Sequence, residues 1–333
     1  MRICSPELGI SPDSNLGGEV HDRELLKVLD ELGVENLIIL PLGKKCPPLK
    51  NAKIFRLPTP VVFPPGIFNF LVLPYLFFLY LRYPFRCLRV HSPPFVGIGA
   101  VIFKFFFPKV KLVATYHHLD KKLGSFDRWL ASKFDLITTV SEETKNEMGL
   151  SRAVVIPNGV DPKFSPGPKP QSLLRKYDLQ NKKVLLYLGQ LIERKNIPFL
   201  MKVIIKLPKD YILMICGDGP LRHSLEAKAN GRVIFTGKVP EKSKVDYYRL
   251  ADVFVYPSLK EGFGLSVAEA LACGIPVVAS GAPIVPDTSL DVEVWVKKIT
   301  QAVGKTDESM RNKYSWENSA KKLISELQKI DIT

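Results

Sequence analysis

The stretch Y-P-S-L-K-E-G-F-G-L-S-V-A-E-A-L-A-C-G-I-P-V-V-A-S, from Tyr256 to Ser280, decides the reading of this chain. Val253 to Tyr256 is a β-branched and aromatic run stopped by Pro257-Ser258, which predicts a strand end. Glu261-Gly262-Phe263-Gly264 follows as a loop that two glycines make permissive. Ser266 to Cys273 has helical composition, with Gly274 at a C-cap position and Pro276 just beyond. Ile275 to Ala279 predicts the next buried strand. A carboxylate and two glycines at a strand-to-helix turn set an acceptor beside free backbone N–H groups, a place to hold a polyol and a phosphate. Glu269, eight residues after Glu261, sits within the helix and faces another part of the same ligand. Taken singly, a Gly-rich turn is common in α/β proteins, and a lone helical Glu is usually solvated.

As a whole, E-G-F-G-L-x-x-x-E-A-x-A-C-G-x-P-V-V-A-S resembles the E-x7-E signature of retaining glycosyltransferases with the GT-B fold. That is the large group 1 / family 4 type, which includes sucrose synthases, glycogen-synthase-like enzymes and bacterial α-mannosyltransferases. A second match is Gly189-Gln190-Leu191-Ile192-Glu193-Arg194-Lys195-Asn196, similar to the family's G-x-L-x-x-x-K-G/N. Two adjacent cations are most often solvated. The resemblance gives Arg194 and Lys195 a sharper role: they hold the donor diphosphate and stabilise the charge that grows on it. Gly217-Asp218-Gly219-Pro220 resembles the G-x-G-P turn, and Gly237-Lys238-Val239 a loop whose backbone meets the nucleotide base.

The resemblance further implies that Glu261 and the backbone of Gly262, Phe263, Gly264 and Leu265 contact the transferred sugar and phosphates, and that Glu269 accepts from ribose hydroxyls. The implied mechanism is a retaining front-face displacement without a protein nucleophile, so Glu261 is not half of a hydrolase carboxylate pair. No D-x-D motif is present, and Arg194 and Lys195 can supply the positive charge. No metal and no cofactor are therefore implied, the nucleotide sugar being a substrate.

The length of 333 residues suits two domains. Apolar content of 46% and charged content of 24% are those of a globular protein. The net charge of +14 implies an anionic partner: nucleic acid, a phosphorylated sugar donor or an anionic bilayer surface. No basic block with interleaved aromatics and no nucleic-acid module signature is present, so nucleic acid is set aside. Cys4, Cys46, Cys87, Cys216 and Cys273 are scattered without a C-x-x-C pair, which predicts reduced thiols in a cytosolic protein.

Met1 to Ser5 leads into a polar loop with no signal-peptide pattern. Val61 to Phe85 is the membrane-like segment, but its prolines, Asn69 and Arg82 argue against a spanning helix. It is expected to pack on a sheet, with shallow docking beside Arg82, Arg86, Arg89, Lys104, Lys109 and Lys111 as the alternative. The expected location is cytoplasmic, with peripheral attachment at the inner membrane face open.

Strands and helices alternate along both halves, which predicts two doubly wound parallel-sheet, Rossmann-like domains facing a cleft, the GT-B architecture. Ile156-Pro157-Asn158-Gly159-Val160-Asp161 and the Pro/Gly-rich 162–170 mark the boundary. The expected domains are 1–162 on the acceptor side, 163–313 for the nucleotide sugar, and a 314–333 helix crossing back to the first domain. At the carboxyl ends of the N-terminal strands lie Gly17-Gly18, His91 and His117. Gly17-Gly18 is either a plain turn or backbone brought close to phosphate, and His91 is expected to be structural. A-T-Y-H-H resembles the family's T-x-H strand end, which implies that His117 contacts donor sugar and faces the acceptor, with His118 as the alternative.

After Ser280 the family carries a Gly-rich segment with a glutamate and a further strand. Here Gly281 to Leu290 runs almost directly into a predicted helix, Asp291 to Val303. That shortening is what a catalytically impaired donor-binding protein would show, the first alternative to a transferase acting on a glycan or lipid-linked acceptor; a sugar-nucleotide epimerase on the same fold is the other. Hydride transfer is disfavoured, because no G-x-G-x-x-G follows the first strand.

Overall fold

The computed structural model describes residues 1–14, 16–59, 65–91, 93–117, 123–307 and 313–332, without the side chains of 65, 66, 331 and 332. Asn15, the start of the apolar segment at 61–64 and the alternative His118 lie outside them. The chain forms two compact units, Met1–Gly159 with Trp316–Thr333, and Val160–Ser315.

The first unit runs β1 (Arg2–Pro6), α1 (Gly17–Glu31), β2 (Glu35–Pro41), β3 (Ala52–Leu57), α2 (Pro65–Arg82), β4 (Cys87–Val90), α3 (Pro93–Phe106), β5 (Lys111–Tyr116), α4 (Ser125–Ser132), β6 (Leu136–Thr139), α5 (Glu142–Met148) and β7 (Val154–Val155). Its seven strands pair in parallel in the order β3-β2-β1-β4-β5-β6-β7. The order reverses between β1 and β4, so the carboxyl ends of those strands flank the switch point where doubly wound sheets collect ligands. Helix α1 buries Leu25, Leu26 and Leu29, with His21 and Asp22 on the same buried side. Ser141 caps α5, accepting from Thr144 N at 3.0 Å.

The apolar segment is helix α2. Phe68, Val72, Leu76 and Leu79 enter the core, and each such side chain contributes about 1.5–3 kcal/mol. Together they outweigh the cost of Pro74 inside the helix, about 3 kcal/mol. Buried Asn69 has a structural use: its Nδ2 donates to Pro94 O and its Oδ1 accepts from Gly99 N, both at 3.1 Å. The other face leaves Phe70, Phe78 and Leu81 exposed. Among the described residues no helix is long and apolar enough to cross a membrane. Helix α4 was not expected, because exposed Phe126 and Trp129 blur a pattern whose buried side is only Leu130 and Ala131.

The second unit runs α6 (Gln171–Lys176), β8 (Lys183–Leu188), α7 (Ile197–Lys206), β9 (Tyr211–Cys216), α8 (Arg222–Glu226), β10 (Val233–Gly237), α9 (Lys244–Leu250), β11 (Val253–Pro257), α10 (Leu265–Ala272), β12 (Val277–Ser280) and α11 (Val292–Ala302). Its parallel sheet has the order β10-β9-β8-β11-β12, with the switch point between β8 and β11. Helix α8 is short, spanning only Arg222–Glu226. Residues 281–290 are loop, pinned by Gly281 N donating to Asp287 Oδ1 at 2.8 Å and Thr288 N to Ala279 O at 3.0 Å. Helix α12 (Trp316–Ile332) then packs on α1 of the first unit.

Candidate active site

Each unit carries a polar cluster at its own switch point. In the second unit, the loop after β8 brings in Arg194 and Lys195 on a short 3-10 turn, and the loop after β11 brings in Glu261. Arg194 Nη1 donates to Glu261 Oε1 at 2.8 Å and Lys195 Nζ at 2.6 Å, while Ser258 Oγ donates to the same oxygen at 2.5 Å. Lys195 also contacts the Tyr256 hydroxyl, and Tyr256 stacks on Tyr187 with centroids 5.9 Å apart. Burial pulls the Lys195 ammonium below its ordinary value, against the opposing pull of Glu261. Burial would raise Glu261, but Lys195 and then Arg194 outweigh it and hold the carboxyl below the usual range. A carboxylate is thus fixed in its ionised form between two cations.

Gly189 closes β8 against a second turn. A side chain at Gly217, whose φ is +148°, would lie 1.9 Å from Gly189 O, so the two turns touch backbone to backbone. Gly264, at φ +88°, is the N-cap of α10, and no side chain caps that helix. Its first N–H groups are left without a capping side chain. Gly262 and Gly264 are buried, Phe263 packs edge-on to Tyr314 at 5.1 Å, and Leu265 is half-buried at the helix start. Val239 is buried two residues after Gly237. Glu269 is buried too, and its Oε2 accepts from the Tyr248 hydroxyl at 2.6 Å. Burial raises its carboxyl, with Lys244 opposing.

In the first unit, Gly17 and Gly18 open α1, and a Cβ at Gly18 would come 3.9 Å from the His117 ring. His117 follows β5 directly. Around it stand residues that the sequence reading did not single out as a site: Glu7 after β1, His21 and Asp22 on α1, and Arg89 in β4, with His91 just beyond that strand. His21 Nδ1 and Asn158 Oδ1 are 2.6 Å apart, and the His21 ring stands 4.5 Å from His117 and 5.7 Å from Trp316. His91 Nε2 lies 3.0 Å from Glu7 Oε1, its Nδ1 is in close ion-pair contact with Asp22 Oδ1, and His117 Nε2 is 3.4 Å from that same oxygen. Arg89 Nη2 lies 3.9 Å from Asp22 Oδ1 and 3.3 Å from His91 Nδ1. The signal for this cluster was polar residues at positions that share a face with apolar ones, such as Asp22 with Leu26 and Leu29.

Burial and Arg89 lower the affinity of His91 for a proton, but Asp22 and Glu7 outweigh them and its value is raised. Burial would raise Asp22, but His91 and His117 together outweigh it and the carboxyl is held well below its usual range. Burial drives His21 well below its ordinary value, with His117 adding to the effect. Ligand-type atoms of His21, Asp22 and His117, and of Glu7, Asp22 and His91, lie within 4.8 Å of one another. They are ligands of the kind transition metals accept, yet Arg89 and His91 already bring positive charge to the two carboxylates.

With this geometry in place, comparison with known proteins gives three results. The model of Glycosyltransferase Family 4 matches residues 16–164, and that of Glycosyl transferases group 1 matches residues 172–325. A GDP-mannose-dependent alpha-(1-6)-phosphatidylinositol monomannoside mannosyltransferase of Mycolicibacterium smegmatis is 32% identical over 206 residues, 53% of this chain and 54% of that protein. O-antigen chain mannosyltransferase B of Escherichia coli is 32% identical over 183 residues, 46% of this chain and 48% of that protein. The chain thus spans about half the length of the curated relatives it matches. The crystal structure of Anabaena HepE in complex with UDP superposes with a TM-score of 0.79 at 16% identity, covering 99% of this chain and 100% of that one, a likeness of fold.

Proposed function

The chain belongs to the group 1 / family 4 glycosyltransferases and has their two-domain α/β GT-B fold, and from that premise we propose that it moves a hexosyl unit from a nucleotide sugar to a hydroxyl acceptor. The donor is a UDP- or GDP-sugar, and the acceptor a glycan or lipid-linked hydroxyl. One observation carries this reading: Arg194 and Lys195 converge on Glu261 at the switch point of the second unit. Two fixed cations there match the diphosphate of a leaving nucleotide, and the α10 N-terminus adds N–H donors beside them.

Transfer proceeds as follows. The sugar–phosphate bond lengthens, negative charge grows on the diphosphate, and Arg194 and Lys195 stabilise it without a metal. Glu261 Oε1 already takes three donors, which makes the carboxylate a poor nucleophile and favours retention by front-face displacement. The departing phosphate takes the acceptor proton. Gly189, Val239, the Gly262–Leu265 backbone and Glu269 hold the donor. In the first unit His117 faces the sugar, beside the Gly17-Gly18 backbone.

Thermal stabilisation by a panel of nucleotide sugars, with and without EDTA, tests the reading. A donor at 100 times its dissociation constant contributes about 2.7 kcal/mol. A shift with one donor, unchanged by EDTA and followed by transfer to an acceptor, supports it. A shift without transfer favours the impaired binding protein, and product formed without acceptor favours the epimerase.

A second observation bears on the acceptor. Packed helices α2, α3 and α4 leave Phe70, Phe78, Leu81, Phe105, Phe106 and Trp129 exposed. Exposed Arg82, Arg86, Lys109, Arg128 and Lys133 belong to the same helices or the loops beside them. Apolar side chains with basic neighbours suit shallow docking on an anionic bilayer. We place the protein peripherally at the inner, cytoplasmic membrane face, where a lipid-linked acceptor would lie. All five cysteines are free thiols, in keeping with a reducing compartment.

A further inference from the structure

The first unit's polar cluster forms a string. Glu7 faces His91, His91 faces Asp22, and Asp22 faces His117 across 3.4 Å, contacts between charged and polar atoms rather than formed hydrogen bonds. Glu7, Asp22, Arg89 and His91 are buried, whereas the His117 side chain is 21% exposed, so the string opens outward only at its far end. Both ring nitrogens of His91 face carboxylate oxygens, so with Asp22 and Glu7 ionised each nitrogen carries a proton, burial of Glu7 working against its ionisation. The guanidinium of Arg89 stands alongside as a charge, since the closer Asp22 oxygen claims the Nδ1 proton. His21 is fixed from outside the string: Asn158 Oδ1 can only accept, so His21 carries its proton on Nδ1.

We infer that Asp22 is a positioning residue, which with His91 and Glu7 behind it holds the proton of His117 on Nε2 and leaves Nδ1 as the ring's acceptor. This rests on the reading that His117 faces the sugar, and it specifies how: a bare Nδ1 accepts from a sugar hydroxyl. A neutral imidazole is free to take either tautomer, and a carboxylate on one nitrogen decides between them. Arrangement supports the same conclusion. Two carboxylates and two cationic groups offset each other, so Asp22 can point a full charge at His117 while the buried cluster stays balanced. The groups facing the string are the thiols Cys4 and Cys87 from β1 and β4, Glu7, Arg89 and His91 at the same strands, and His21 from α1. The raised proton affinity of His91 and the lowered one of Asp22 agree with this charge pattern, while burial raises that of Glu7.

The test is histidine-selective nitrogen NMR on the full chain, together with steady-state kinetics. Wild type should show His117 as the Nε2–H tautomer near pH 8 and His91 still protonated on both nitrogens above its ordinary titration range. Asp22→Asn should free one His91 proton and shift His117 toward Nδ1–H. It should lower kcat about 10-fold, the order of one hydrogen bond to the sugar lost from the transition state, with KM for the donor unchanged. Asp22→Glu should restore part of the rate, and Asp22→Asn should add no further loss in a His117→Ala background. His91→Gln, with a second buried contact intact, guards against a variant that only misfolds. If Asp22→Asn folds and leaves the His117 tautomer and kcat unchanged, the inference fails while the transferase reading stands. If no donor is turned over, the transferase reading fails and the tautomer shift still decides this one. Stoichiometric zinc moving the His21 and His117 signals together would overturn it, by making those atoms ligands.

Discussion

Lys195 Nζ sits 2.6 Å from Glu261 Oε1, with side chains only 9% and 10% exposed. Breaking one partner of such a pair strands the other charge, a loss of about 3–5 kcal/mol when burial is complete. Arg194 and Ser258 still donate to Glu261 in a Lys195→Met variant, so the loss should fall near the lower end, about 3 kcal/mol, by urea denaturation. The rate should drop about 10²- to 10³-fold, as when one preorganised charge donor is removed. Unchanged turnover with lowered stability would leave the pair a purely structural contact.

Glu269 supplies a pH test. Its folded-state value is raised, chiefly by burial. A raised value favours folding below the unfolded value, and that contribution is lost as pH rises through the folded one. Glu269→Gln, which keeps an acceptor for Tyr248, should therefore gain stability relative to wild type at neutral pH, with the difference closing on acidification toward the ordinary carboxylate range. Paired denaturation curves across pH would check this, and a difference that grows in acid would contradict it.

Gly281 tests the loop after β12. Its φ is +64°, and a Cβ there would lie 2.4 Å from Ser258 O. Gly33 has φ +78° with open space around it. Gly33→Ala should cost about 1–2 kcal/mol from the backbone conformation alone. Gly281→Ala should cost more and should weaken donor binding, because Ser258 is a donor to Glu261. Equal losses in the two variants would show that the loop yields without disturbing the site.

Co-sedimentation with anionic vesicles checks the exposed face of α2 and α3. Binding should weaken with salt and fall in a Leu81→Ser, Phe105→Ser double variant that keeps its melting temperature. Activity on a soluble acceptor should survive the double change. Salt-independent binding, or none, would remove the membrane from the reading.

Much of the second unit was legible because its chemistry lies close in sequence. Arg194-Lys195 and Glu261 to Leu265 each occupy one strand-to-helix loop, and the glycines there mark backbone that must come close. That Tyr256 and Tyr187 stand beside this cluster was not legible, since a strand tyrosine looks the same whether it packs or donates. The first unit's cluster was harder. Glu7, Asp22, Arg89 and His91 come from three separate stretches that only the sheet order brings together. Asp22 also lies in a helix rich in charge, where one buried carboxylate is easily taken for a solvated one. Helix α2 was legible as packed, but its outward aromatic face became apparent only from burial.

Helix α12 belongs to the first unit, although 156 residues of the second unit precede it in the chain. A ribosome therefore delivers the seven-stranded sheet and then the whole second unit before Trp316 emerges to stand against the His21 ring. Until then the histidine cluster lacks one of its walls, and a side chain at Gly159 would have nothing to clash with where Trp316 N will later pass 2.1 Å away. The second unit can mature on its own schedule, whereas the first must wait. Vectorial synthesis thus completes the cluster of Arg194, Lys195 and Glu261 before the histidine cluster, and under the proposed function a nascent chain stalled before residue 316 should hold nucleotide without transferring sugar.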